Sequence, residues 1–194
     1  MKKVSWKMIL IVVGIIAAVV LCGVAIGIHA ENRCYSMEEQ ISESKSGIDI
    51  QLKNRNDSIK QLVKVVEQFS TQESKIVDSV TEARAQLNSG DATGALKTLN
   101  IVVENYPEIT SGEQYSRLSI TITTCEQQIA NYRDNYNQQV KAYRKYVRNP
   151  LNKLILDFRG YDPIDAQYLE FEQDDLELIE DMFGSTEVPY SELS

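Results

Sequence analysis

Arg55 interrupts the apolar line of IDIQLKNRNDSIKQLV, Ile48 to Val63, a stretch whose hydrophobic spacing is that of a helix packed against a neighbour. A guanidinium keeps its charge at any ordinary pH, so a buried one needs a carboxylate, another anion or a ring face. Two chemistries fit. One is an ion pair that fixes the alignment of helices; the other is an anion- or ligand-binding pocket that Arg55 shares with Arg133 and the tyrosines Tyr132, Tyr136 and Tyr143. Glu73 is the second charge on the same line, but at eighteen positions' distance it lies about 27 Å further along a straight helix. Partners for both must therefore come from other helices, and Glu126 with Arg133, seven residues apart on a later helix, are the candidates. Arg55, Glu73, Glu126 and Arg133 are thus read as a buried polar network whose role is register, because leaving one member of a buried pair alone costs about 3 to 5 kcal/mol.

Other chemistries lack their parts. Catalysis needs a nucleophile with a base, a metal-ligand set or a phosphate cradle, and no spacing in the chain supplies one. The single histidine, His29, has no second histidine or cysteine cluster with which to share a metal. Cys22, Cys34 and Cys125 fall in three different settings without motif spacing, so neither a disulfide framework nor a cofactor is expected. NSGDATG holds two glycines yet follows a helix and lacks the Lys-Ser/Thr ending of a P-loop, which makes it a turn. GDATGALKTLNIVVENYP resembles half of a tetratricopeptide unit, in one copy only. The net charge is −8, with basic residues interleaved among acidic ones, which disfavours nucleic-acid binding.

The elements that must position Arg55 are long helices. From Glu31 to Asn88 there is no proline and only Gly47, which predicts one continuous helix up to NSGD. Its line, stepping by three and four, reads Ile41, Lys45, Ile48, Leu52, Arg55, Ile59, Leu62, Val66, Phe69, Glu73, Ile76, Val80, Ala83 and Leu87. Such spacing builds left-handed bundles. Asp91 caps a second helix that Pro107 ends, and Ser111 with Gln114 forms a capping-box pattern for a third, which runs to about Arg148. A short fourth helix, PLNKLILDF, offers Leu151, Leu154, Ile155 and Phe158 to close the bundle. No stripe can be buried alone, so the expected fold is all-α: an elongated, left-handed, up-and-down bundle of about four helices over residues 29–160. Stripes of this kind also pair between copies, so a homo-oligomer is compatible with the pattern.

Ahead of the bundle, Met8 to Ile28 are 21 residues without a charge or a Ser, Thr, Asn or Gln. At about 1.5 Å per residue they span roughly 31 Å, enough to cross a bilayer as a single transmembrane helix. Lys2, Lys3 and Lys7 precede this run and Glu31, Arg33, Glu38 and Glu39 follow it, which predicts a seven-residue cytoplasmic N-terminus and a bundle outside the cell membrane. Beyond Arg159 no basic residue occurs, and residues 161–194 read as an acidic, solvated tail. Within it Leu176, Ile179, Met182 and Phe183 share a helical face that suits a partner's groove.

IDIQLKNRNDSIKQLV, VTEAR (Val80 to Arg84), the Tyr106-Pro107 pair and CEQQIANYRDNYNQQV (Cys125 to Val140) together resemble the LemA family, in order and spacing. The family usually has Pro-Asn where Lys60 and Gln61 stand, an aromatic residue near Ser46 and Gly47, and Asn where Arg144 stands. The resemblance implies a left-handed up-and-down four-helix bundle behind one membrane helix, and it points to no particular enzymatic activity. The expected function is a non-enzymatic, membrane-anchored scaffold or adaptor for envelope proteins. The alternatives are an extracytoplasmic sensory module acting through a membrane partner, since a seven-residue cytoplasmic end holds no output domain, and an accessory subunit of envelope proteolysis.

Overall fold

In a computed structural model, which describes residues 6–69 and 74–170, the chain is all-α. Five helices follow one another: α1 (Trp6–Glu67), α2 (Ser74–Ser89), α3 (Ala92–Asn105), α4 (Glu113–Arg148) and α5 (Pro150–Arg159), with a 3-10 turn, Pro107–Ser111, between α3 and α4. Two compact units divide them. One is Ser44–Asn135; the other combines residues 6–43 with Tyr136–Tyr168.

The Ser44–Asn135 unit holds the aliphatic core. Ile59, Leu62, Val63 and Val66 of α1, Ile76, Val80 and Ala83 of α2, Leu96 and Leu99 of α3, Ile109 and Ile122 are buried in one cluster. The single helix expected up to Asn88 is in fact two. Gln68 and Phe69 donate their amides to the carbonyls of Val65 and Val66, at 3.2 and 3.0 Å, a tight i to i−3 spacing that ends α1. Arg84 of α2 then pairs with Glu67, seventeen positions earlier, which a straight helix would hold about 25 Å away. The three-four rhythm continues in phase through the break because both helices face the same core, so periodicity alone could not reveal the turn.

Local chemistry sets the remaining boundaries. Gly90 takes φ +89° while the amides of Gly90 and Asp91 bond to Leu87 and Gln86, a Schellman ending that closes α2. Asp91 accepts the Gly94 amide at 2.7 Å and starts α3. The expected capping box at Ser111 does not form: its hydroxyl donates to the Glu108 carbonyl within the 3-10 turn, and α4 begins two residues later. Asn149 accepts the amides of Leu151 and Asn152 and, with Pro150 at the first position, opens α5.

The other unit buries Ala30, Cys34, Ile41, Tyr136, Val140, Tyr143, Leu156, Tyr161 and Ala166. Two expectations are corrected here. Leu151, Leu154 and Phe158 do not close the bundle; they point outward, and Leu156 is the α5 residue that is buried. Residues 161–168, read as the start of a solvated tail, are part of this unit instead: Tyr161 and Ala166 are buried, and Arg144 of α4 stacks over the Tyr168 ring at 4.8 Å. The apolar side chains of Met8 to Ile28, by contrast, are exposed along α1.

Candidate functional site

Within Ser44–Asn135, α1 and α4 run antiparallel. Asn135 donates to the Ser44 hydroxyl at 3.2 Å, Gly47 lies under the Tyr132 ring, and Arg55 bonds Glu126, so each step up α1 is a step down α4. Lys45, placed on the apolar line by its spacing, is exposed, and Ser44 takes the inward position. A three-residue step from Ile41 to Ser44 leaves the Lys45 ammonium in water instead of burying it.

The Arg55 guanidinium donates from Nη1 to Oε1 of Glu126, and both side chains are nearly closed off from water. Ser58 and Thr123, two further buried polar residues of this unit, satisfy their hydroxyls on carbonyls one turn back, at 2.9 and 3.0 Å. Arg133 stands elsewhere. It is half-buried at the level of Gly47, about 12 Å along α1 from Arg55. Glu73 lies outside the described residues, as do Leu176, Ile179, Met182 and Phe183. A guanidinium engaged by a carboxylate carries no uncompensated charge for an anion, which favours alignment over ligand capture as the pair's role.

A second polar cluster, which sequence reasoning missed, is built in the other unit from α1, α4 and the segment after α5. Tyr143 donates to Glu38 Oε1 at 3.0 Å and accepts the Ile164 amide at 2.9 Å, while Tyr161 donates to the same Glu38 oxygen and lies 2.9 Å from the Tyr143 oxygen. Three oxygens in mutual contact share two hydroxyl protons, so with Glu38 ionised both phenols serve the carboxylate. Burial, reinforced by the bond to Glu38, pushes the Tyr143 hydroxyl up to about 12, and burial likewise raises Tyr161. The edge of Tyr35 meets the Tyr161 ring at 5.7 Å. One signal was readable: Gly160, with φ +74°, ends α5 in a Schellman motif, and the residue after such a glycine commonly turns its side chain inward.

Neither cluster presents a nucleophile beside a base. Cys34 and Cys125 are buried, and burial raises both thiols, the opposite of an activated thiolate. His29 is exposed, and among the described residues no three His, Cys, Asp or Glu side chains gather as a metal site. Arg159 does make a defined contact just past the apolar run of α1. Its Nε and Nη2 donate to Glu31 Oε2 at 3.1 and 2.7 Å, holding the Glu31 carboxyl below the usual range, and its aliphatic stem covers Gly27.

The described residues therefore define an all-α chain in which an exposed apolar helical run is continuous with a bundle whose seams carry a few buried polar contacts. The family model of the LemA family matches residues 44–180, and the chain belongs to that family. A comparison with curated proteins finds no match.

Proposed function

We propose that the chain is a non-enzymatic, membrane-anchored adaptor of the cell envelope, with Met8 to Ile28 crossing the bilayer and the helical region outside the cytoplasm. The observation that supports it most is the contrast within one helix. Along α1 the large apolar side chains from Met8 to Ile28 face outward, whereas from Ala30 onward the apolar positions alternate with polar ones and turn into a packed seam. Exposed apolar surface on that scale is stable in lipid and a liability in water. A packed helical region joined to an anchor by unbroken helix suits the task of holding other proteins near the membrane.

Crosslinking in intact membranes, followed by purification of the chain under denaturing conditions, tests the adaptor role. Recurrent recovery of wall- or membrane-assembly proteins is the expected result; a recurrent envelope protease or a receptor would replace this reading by one of an accessory or sensory subunit. Sidedness needs an engineered label, because Cys34, the natural choice just past the span, is buried. Ser36→Cys in a Cys22→Ala background places a thiol on an exposed position. A membrane-impermeant maleimide should modify it in intact cells, and labelling only after lysis would reverse the orientation.

A further inference from the structure

The outward face of α5 is an apolar surface that the unit leaves uncovered. Leu151 is 73% exposed, Leu154 70% and Phe158 91%, and at positions i, i+3 and i+7 they form one stripe on a ten-residue helix. Asp157 borders this stripe on one side, and Leu156 faces the opposite way, into the unit. A stripe of this kind beside a buried one means that two different surroundings cover the helix.

The position of α5 along α1 says which surroundings. Tyr143 is level with Glu38, and Tyr146 is near Cys34 and Arg33, so α4 brings Arg148 to about the level of Asn32. Had the chain continued antiparallel to α1, Arg159 would reach about the level of Cys22, deep in the apolar run. Instead Arg159 meets Gly27 and Glu31, so α5, about 15 Å long, runs chiefly across α1 at the border where the apolar run ends. Charge agrees with that placement. In a chain of net charge −8, residues 141–153 carry Lys141, Arg144, Lys145, Arg148 and Lys153 without an acid, while Arg159 is engaged by Glu31. Basic side chains at the end of α4 and on α5 suit anionic headgroups.

We infer that α5 is an interfacial membrane helix, whose Leu151, Leu154 and Phe158 enter the headgroup and upper acyl region of the same leaflet through which α1 leaves the bilayer. This rests on the reading of Met8 to Ile28 as a span. Interfacial helices with one apolar stripe and basic neighbours immerse that stripe by about 5 to 10 Å. Held by both segments, the bundle would be fixed in tilt and rotation at the surface.

Depth-resolved quenching tests this in full-length protein reconstituted into vesicles of phosphatidylcholine and phosphatidylglycerol with brominated acyl chains. Trp6 is the only tryptophan, so Trp6→Phe supplies a dark background. Phe158→Trp and Ile16→Trp, both at exposed positions, then report one depth each. Phe158→Trp should emit to the blue of a water-exposed indole and lose most of its intensity to bromines near the headgroups, whereas Ile16→Trp should be quenched most by bromines near the bilayer centre. If Ile16→Trp is quenched and Phe158→Trp emits as in water, α5 is not in the membrane and its face is left for a protein or a second copy, while the span stands. If Ile16→Trp itself escapes quenching, the span fails, and the interfacial role of α5 with it.

Discussion

The two units solve the same packing problem between α1 and α4 with different materials. In Ser44–Asn135 the seam is aliphatic, relieved by one charged pair, Arg55 with Glu126. In the unit of residues 6–43 and Tyr136–Tyr168 buried aliphatic residues are few, and they are joined by a carboxylate held by two phenols, Glu38 with Tyr143 and Tyr161. The difference concerns what failure looks like. A buried ion pair that loses one member leaves a full charge without compensation; a phenol cluster that loses a hydroxyl leaves a neutral amide and a carboxylate that retains its other donor.

The largest expected effect therefore belongs to the ion pair. Glu126→Leu should cost about 3 to 5 kcal/mol, because Arg55 stays buried with its counter-ion gone. Thermal and urea unfolding of the intact chain in detergent would measure it. Arg55→Met/Glu126→Leu should recover most of the loss, since apolar replacements of similar volume fill the space without charge. A double variant as weak as the single one would show that shape at this level, and not charge, holds the seam.

The hydroxyl cluster should give a smaller number and a different signature. Tyr143→Phe removes the acceptor of the Ile164 amide and one donor to Glu38, for about 1 to 3 kcal/mol. Hydrogen exchange at Ile164 should accelerate, because the segment after Gly160 is tied down there. Alkali sharpens the contrast. The folded Tyr143 hydroxyl, at about 12 against an ordinary 10, keeps its proton where the unfolded chain gives it up. Its contribution to stability is whole below pH about 10 and is lost as pH rises through about 12. Tyr115, raised to about 12 by burial in the other unit, adds a slope of the same sign, so Tyr143→Phe should flatten the alkaline fall without abolishing it.

How far the sequence anticipates this depends on the range of the interaction. The presence of a charge on an apolar line at Arg55 was legible, because period and residue type clash there. The bounds of α3 and the end of α4 were legible from Asp91, Pro107 and the Asn149-Pro150 pair, whose chemistry is local. The break after Glu67 was not, since α2 resumes the same phase. Nor was the direction of the α5 stripe: Leu151, Leu154 and Phe158 are amphipathic spacing whichever side is wet, and only the course of the chain past Gly160 decides that Tyr161 and Ala166 fill the unit in their stead. Glu38 and Tyr161 were missed because they are 123 residues apart and neither breaks a local pattern.

Gly47 allows the smallest and most discriminating test of the α1–α4 seam. A glycine in mid-helix costs about 1 kcal/mol relative to alanine, so its presence calls for a compensating contact. An added Cβ would fall 2.5 Å from Cε1 of the Tyr132 ring, closer than atoms can approach, so the ring must move. Overpacking of this kind costs about 1 to 3 kcal/mol in a tight core, but Tyr132 is partly exposed and can swing toward water, which keeps the cost low. After the gain in helix propensity, Gly47→Ala should lose about 0 to 2 kcal/mol. In a Tyr132→Ala background the obstacle is gone while the propensity gain remains, so the same substitution should stabilise by up to about 1 kcal/mol. A change of sign between the two backgrounds would identify close approach of the helices as the reason for the glycine; the same sign in both would assign Gly47 no part in the seam.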